Sequence, residues 1–135
     1  MTKASPRVAL VDDDAAVRKA LARLLSASSF DISTFASARE FLDSLTEDHP
    51  ACLVLDLHMP EITGIELQRM LVGAGIHIPT ILITGHNEPG LSERCCSAGA
   101  VAFLVKPVEW HTLVGEINAA IGRPYVKDRP KTRVT

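Results

Sequence analysis

Short segments of strand length alternate five times along this chain with stretches that carry apolar residues at helical spacing. Four of these segments are aliphatic runs, as is typical of strands covered on both faces of a sheet. Strands that alternate with helices pair in parallel through right-handed crossovers. We therefore predict an α/β fold with a doubly wound, five-stranded parallel sheet in the order 2-1-3-4-5, built as (βα)5. The strands are expected at residues 8–11, 30–35, 51–56, 80–83 and 101–105.

Helix signals fill the intervals between the predicted strands. Asp14 stands ahead of an apolar stripe over residues 15–27, where a helix N-terminus favours an acid. Ser37 and Glu40 match a capping box that would open the second helix. Gly75 and Gly122 are placed to end two later helices. The last three helices are expected at residues 65–74, 91–98 and 110–121.

The composition indicates one folded, soluble domain. The chain has 135 residues, a hydrophobic content of 47% and a net charge of −2, so we do not expect nucleic-acid binding by this domain. No apolar stretch approaches the roughly 20 residues of a membrane span, and no secretory signal is visible, which predicts a cytoplasmic protein. We assign residues 1–122 to the domain and interpret residues 123–135, with five basic residues and one acid, as a C-terminal tail or linker.

Four of the predicted strands end at charged or hydroxyl side chains. In chain order these residues are Asp12, Asp13, Asp14, Asp56, Thr84 and Lys106. In the predicted strand order a crevice opens between the first and third strands, above their carboxyl ends. The acids after the first strand and the acid that closes the third therefore become neighbours, which predicts a site at this edge of the sheet.

The residue types at this edge favour phosphoryl chemistry. Carboxylates without nearby histidine or cysteine ligands favour a hard cation such as Mg²⁺, which keeps waters and leaves room for a phosphoryl oxygen. Once a cation screens the other acids, one carboxylate can attack phosphorus. Lys106 offers a flexible positive charge and Thr84 a hydroxyl donor for the transferred group. The alternative is that the acids only cap the following helix, an interpretation that we prefer for Asp14 alone.

These residues together resemble the receiver domain of two-component response regulators, and in particular the FixJ type. The resemblance rests on four motifs and one aromatic position, and it covers about residues 7 to 121. The four motifs are Val11-Asp12-Asp13-Asp14, Asp56-Leu-His-Met59-Pro60-x-x-x-Gly64, Ile83-Thr84-Gly85-His86 and Lys106-Pro107. The aromatic position is Phe103, three residues before the lysine. The resemblance implies a flavodoxin- or CheY-like fold and a switch that is not an enzyme acting on separate substrates.

The resemblance also implies roles for individual residues. Asp56 would accept a phosphoryl group from the phosphohistidine of a sensor kinase or a phosphotransfer protein, and Lys106 would pair with that group. Mg²⁺ or Mn²⁺ would be bound directly by Asp13, Asp56 and the backbone carbonyl of His58, and through water by Asp12.

A further set of residues is expected to report or tune the phosphorylated state. Thr84 would move toward the phosphoryl group and Phe103 would follow inward, which would remodel the face formed by the fourth helix, fifth strand and fifth helix. That face could also pair two phosphorylated copies. His58 and His86 each lie two residues beyond a site residue, and could tune the lifetime of the phosphate. The alternative is that both are rim histidines without effect.

Other functions remain open from the sequence. Asp12 and Asp14 satisfy the D-x-D spacing of haloacid-dehalogenase-like phosphotransferases, but that family would leave Met59-Pro60 unexplained. A degenerate receiver that binds partners without phosphorylation is a second alternative, against which the retained acids, threonine and lysine argue. FixJ-type receivers usually precede a helix-turn-helix domain, which thirteen residues after Gly122 cannot form. The chain is then a stand-alone receiver, which we favour, or a receiver fragment of a DNA-binding regulator.

Overall fold

The structure, a computed structural model, describes residues 5–122, so the tail or linker predicted at 123–135 lies outside the described residues. In chain order the elements are β1 (Arg7–Val11), α1 (Ala15–Ala27), β2 (Asp31–Phe35), α2 (Ala38–Ser44), β3 (Cys52–Asp56), α3 (Gly64–Gly73), β4 (Thr80–Thr84), α4 (Leu91–Ser97), β5 (Ala102–Val105) and α5 (Trp110–Gly122). The strands form one parallel sheet in the order β2-β1-β3-β4-β5. The predicted fold class and strand order are confirmed.

Helices cover both faces of the sheet, which explains why the central strands are continuously apolar. β3 and β4 are buried along their whole length. On one face the core includes Phe41 of α2, Leu67 of α3 and Leu91 of α4. On the other face it includes Leu25 of α1 and Ile117 of α5. Two hydrophobic layers therefore hold the sheet, and its strand ends are free to form a site.

Two helix starts show how local side chains fix the backbone. The Asp14 carboxylate accepts hydrogen bonds from the first turn of α1, so this acid caps the helix, as predicted. At α2 the predicted capping box is only half formed. Ser37 accepts from the Glu40 N–H, but the Glu40 carboxylate accepts from the N–H of Ala36 at 2.9 Å rather than from that of Ser37. The prediction of a reciprocal box was wrong, because the extended chain before the helix turns the Ala36 N–H toward the glutamate.

A complete capping box, which was not predicted from the sequence, does occur at α3. The Thr63 side chain accepts from the Glu66 N–H, and the Glu66 carboxylate accepts from the Thr63 N–H at 2.8 Å. The box fixes the start of α3 a few residues after the end of β3. The loop between them thereby has a defined path beside Asp56.

Candidate functional site

Three carboxylates meet at the carboxyl ends of β1 and β3. Oxygen atoms of Asp12, Asp13 and Asp56 all lie within 4.8 Å of one another. The strand register causes this meeting, because Val11 pairs with Leu55 and the next residue of each strand is an acid. Asp12 and Asp56 are buried, whereas Asp13 is exposed. The cluster is thus anchored in the sheet and open on one side.

Lys106 lies between the two buried carboxylates. Its Nζ donates to Asp12 Oδ2 at 3.2 Å and is 3.7 Å from Asp56 Oδ1. The lysine comes from the end of β5, two strands away from β3, so it approaches the acids from the opposite side of the site. One ammonium group offsets only one of the three negative charges. The remaining charge and the all-oxygen ligand set fit a hard divalent cation such as Mg²⁺ or Mn²⁺.

Asp56 carries the clearest electrostatic signature of the site. Its pKa is raised from 3.8 to about 6, mainly because burial disfavours the charged carboxylate, and further because of the Asp12 charge. Lys106 and the His58 N–H, which donates to Asp56 Oδ1 at 3.4 Å, lower the pKa and offset part of this rise. A bound cation would relieve the same repulsion. The geometry of the cluster and the raised pKa of Asp56 therefore both favour a cation site beside this carboxylate.

The raised pKa of Asp56 predicts a pH-dependent stability cost. Below pH 3.8 the carboxyl is protonated in both folded and unfolded chains, so it contributes no difference. As pH rises to about 6, the unfolded chain releases its proton more readily than the folded chain, and the folded state loses stability. A shift of this size corresponds to at most about 3 kcal/mol. In metal-free buffer, we expect Asp56→Asn to be about 1–3 kcal/mol more stable than wild type at pH 7.5.

Urea unfolding of both proteins between pH 4 and pH 7.5 checks this expectation. The advantage of the asparagine variant should shrink steadily as pH falls toward 4, since the wild-type carboxyl then becomes neutral in the folded state. Comparing the two proteins at each pH removes the contributions of titrating groups that do not interact with Asp56. A difference that stays constant across this range would contradict the assigned cause.

Thr84 ends β4 beside the acids, and its hydroxyl is engaged by its own loop. The side chain is fully buried. Its Oγ1 donates to the His86 carbonyl at 3.1 Å and accepts from the His86 N–H at 3.0 Å. Any use of this hydroxyl at the acidic cluster requires it to release the His86 carbonyl first. The loop after β4 is therefore coupled to the position of the threonine.

The other predicted residues take different places around the cluster. The His58 and His86 side chains are both exposed, on the loops that follow β3 and β4. Phe103 is 5% exposed and packs into the core on the α2–α3–α4 face. Its ring also lines a cavity of about 400 Å³ together with Ser92 of α4 and Thr112 of α5. A movement of this ring would therefore be a rearrangement inside a packed layer, not the burial of an exposed side chain.

Gly64 holds α3 against the strand end that carries Asp56. Its N–H donates to the Leu57 carbonyl at 2.9 Å. A Cβ at this position would lie 2.6 Å from the Asp56 carbonyl oxygen and 2.9 Å from Leu57 Cα, so no other side chain fits without a shift of the backbone. The sequence showed this glycine only as part of a motif. The reason for it is the close approach of two backbone segments.

Arg18 contacts the site but was not singled out from the sequence. It lies on α1, and its guanidinium donates to the Asp12 carbonyl at 2.8 Å. A signal for it existed, because Arg18 lies six positions after Asp12, at the end of the first turn of the following helix. That turn is close enough to the strand end for a long side chain to reach back.

Comparison with known proteins places this chain in a family. A sequence profile of the response regulator receiver domain matches residues 8–118. The chain belongs to that family, whose members are the phosphoacceptor switches of two-component systems. Among its relatives is the response regulator protein TodT of Pseudomonas putida, 38% identical over 112 residues, which are 83% of this chain and 49% of TodT.

Two further relatives support the FixJ type. Nodulation protein W of Bradyrhizobium diazoefficiens is 39% identical over 124 residues, covering 90% of this chain and 55% of that protein. The crystal structure of FixJ-N superposes with a TM-score of 0.82 at 36% identity, covering 93% of this chain and 99% of that one. The predicted resemblance of this chain to FixJ-type receiver domains is confirmed. The chain spans about half the length of the curated relatives described here. Within residues 5–122, no helix is both long enough and apolar enough to cross a membrane.

Proposed function

We propose that Asp56 is the phosphoacceptor of this receiver domain and that it takes its phosphoryl group from the phosphohistidine of a sensor histidine kinase or phosphotransfer protein. The observation that carries the proposal is the meeting of Asp12, Asp13 and Asp56 within 4.8 Å, with the Lys106 ammonium between the two buried acids. Asp13, Asp56 and the His58 carbonyl are the proposed direct ligands of Mg²⁺ or Mn²⁺, and Asp12 the ligand through water. When bound, the cation screens the acids and neutralises charge on the transferred group.

The transfer is a displacement at phosphorus. An oxygen of the Asp56 carboxylate forms the new O–P bond, and the P–N bond to the donor histidine breaks, leaving the electron pair on the imidazole nitrogen. The buried carboxylate is held for this attack by the His58 N–H. Lys106, already within 3.7 Å of Asp56, stays to balance the negative charge of the product. Water later attacks the phosphorus of the aspartyl phosphate, which releases inorganic phosphate and restores the carboxylate.

The new phosphoryl group gives Thr84 a second possible partner. A hydroxyl that now donates to the His86 carbonyl would instead donate to a phosphoryl oxygen, a charge-assisted and therefore stronger bond. This exchange frees the loop after β4, and with it the start of α4. Phe103 lines the cavity bounded by α4 and α5, and Asn87 of the same loop lines it too. We propose that its rearrangement transmits the phosphorylated state to the α4–β5–α5 face.

The proposal is tested by incubating the protein with Mg²⁺ and acetyl phosphate and measuring its intact mass. We expect one phosphate adduct, which disappears when the metal is removed with EDTA. Steady hydrolysis of added phosphate esters would favour a haloacid-dehalogenase-like phosphotransferase. An unmodified mass under all conditions would favour a receiver that binds partners without phosphorylation.

The output of the switch is proposed from its relatives. Because the chain covers about half of proteins such as TodT, we propose that it acts as the receiver part of a regulator of that kind or as a receiver that signals alone. The domain is proposed to contact protein partners and not nucleic acid, since the net charge of the whole chain is −2 even with its basic C-terminal segment. Pairing of two phosphorylated copies through the α4–β5–α5 face stays a prediction.

The two exposed histidines are proposed to set the lifetime of the aspartyl phosphate. In this proposal each imidazole donates a hydrogen bond to a phosphoryl oxygen and thereby protects the phosphorus from water. We expect His58→Ala and His86→Ala to lose phosphate about 2- to 12-fold faster than wild type, the effect of one net hydrogen bond of about 0.5–1.5 kcal/mol. The measurement is the decay of the phosphorylated protein after removal of the phosphodonor.

His77→Ala is the matched control for the two histidines. His77 is also exposed, but it precedes β4 and so lies toward the opposite edge of the sheet. Its replacement should leave the decay rate unchanged. Decay at the wild-type rate in both His58→Ala and His86→Ala would remove the lifetime proposal. If the phosphorylated variants decayed more slowly than phosphorylated wild type, the imidazoles would instead promote the attack of water on phosphorus.

A further inference from the structure

The backbone between Asp12 and Asp13 is held by a side chain from α1. The guanidinium of Arg18 donates from Nη1 to the Asp12 carbonyl oxygen at 2.8 Å. This oxygen belongs to the peptide group that joins Asp12 to Asp13. Because a peptide group is planar, fixing its oxygen fixes the plane and therefore the position of the next Cα atom. Arg18 thus acts on the direction in which the Asp13 side chain leaves the backbone.

The other hydrogen bonds of this loop hold Asp12 and Asp14 rather than Asp13. The Asp12 N–H donates to the Phe35 carbonyl at 3.1 Å, which continues the β1–β2 pairing. The two carboxylate oxygens of Asp12 accept from the Asp14 N–H at 2.9 Å and from Lys106 Nζ at 3.2 Å. Asp13 is the exposed member of the acidic cluster. Its placement depends on the peptide that Arg18 holds.

We propose that Arg18 is a positioning residue that keeps the Asp13 carboxylate directed at Asp12 and Asp56, and thereby sets the affinity of the cluster for a divalent cation. The inference rests on the proposed function, because it assigns Asp13 as a metal ligand. It concerns a contact to the backbone and not to the metal or the phosphoryl group. Partners that orient the ligands of a metal commonly change metal affinity by about 10- to 100-fold when they are removed.

The sign of the effect separates this role from simple electrostatics. Arg18 is a positive charge next to an acidic cluster. If its charge were all that mattered, removing it would make the cluster more negative and strengthen the binding of a cation. If it positions the Asp12–Asp13 peptide, removing it weakens binding despite the more negative cluster. The two explanations predict changes in opposite directions.

The test is a titration of the full chain with Mn²⁺, followed by the loss of the electron paramagnetic resonance signal of free Mn²⁺. Arg18→Met removes both the donor and the charge, and we expect its affinity to fall about 10-fold. Arg18→Gln, which is polar but too short to reach the Asp12 carbonyl, should fall equally and replaces the methionine variant if that one does not fold. Arg18→Lys keeps a charge and a donor on a long side chain and should recover most of the affinity.

Arg23→Met is the matched control, because it removes a positive charge from an exposed position on the same helix. Its affinity should equal that of wild type. Wild-type or tighter binding by both Arg18→Met and Arg18→Gln would overturn the positioning role. A wild-type protein that binds no Mn²⁺ would instead contradict the proposed metal site itself. The two failures are therefore distinguishable in one experiment.

Discussion

Replacing Asp56 with asparagine is expected to abolish the phosphate adduct that the wild-type protein forms with acetyl phosphate and Mg²⁺. The amide has the shape of the carboxylate but no negative oxygen to attack phosphorus, so the loss should be complete within the detection limit of intact-mass measurement. The fold should persist, because burial and the neighbouring Asp12 penalise the ionised form of Asp56. Circular dichroism of the variant should match that of wild type.

Asp14→Asn is the control for this substitution. Asp14 is two residues from Asp12 but caps α1, and asparagine caps helices about as well as aspartate. The variant removes one acid near the site without removing the proposed nucleophile. It should form the adduct to the wild-type extent. If Asp56→Asn formed the phosphate adduct to the same extent as wild type, another residue would be the phosphoacceptor. That result would overturn the assignment of Asp56.

Replacing Gly64 with alanine is expected to cause the largest loss of stability among single-methyl changes near the site. The new Cβ would stand 2.6 Å from the Asp56 carbonyl oxygen and 2.9 Å from Leu57 Cα, and both are backbone atoms that cannot rotate away. Relief requires α3 to move away from the end of β3. Overpacking of this kind costs about 1–3 kcal/mol, and we expect the upper part of that range from urea unfolding.

Gly64→Ala should also slow phosphorylation, because Asp56 belongs to the backbone segment that must shift. Gly73→Ala, on the same helix, is the control, since a Cβ there meets nothing within 4 Å. Its stability should be unchanged or higher by up to about 1 kcal/mol, the difference in helix propensity between the two residues. A Gly64→Ala protein as stable as wild type would contradict the close approach of α3 to β3.

The fold was predictable because its signals are local and repeated. The continuous apolar character of β3 and β4 indicates that both faces of these strands are covered. The apolar residues at helical spacing between the strands indicate where the helices lie. The capping signals were less dependable. Ser37 and Glu40 matched the box, yet the Glu40 carboxylate accepts from the N–H of Ala36, because the extended backbone before α2 decides which N–H faces it.

The meeting of the acidic side chains at one edge of the sheet was also predictable, for a geometric reason. Parallel strands present their carboxyl ends at one edge, so residues that follow neighbouring strands must come together, however far apart they are in sequence. This reasoning brought Asp12, Asp13 and Asp56 into one cluster and placed Lys106 near it. It did not include Arg18, because that residue follows no strand directly and the contact of its side chain with Asp12 depends on how α1 packs over the end of β1.

The sequence by itself determined the strand order, the edge of the sheet where the site lies and the acids that meet there. These three features follow from the hydrophobic periodicity of the sequence and from the common direction of parallel strands. Both can be read from the amino-acid sequence. Only the tertiary structure decided that the Thr84 hydroxyl rests on the His86 backbone, that Phe103 is already buried, and that Gly64 admits no side chain. These features depend on differences of a few tenths of an ångström in the distances between separately packed elements. Contacts at that scale are set by the packing of the whole core.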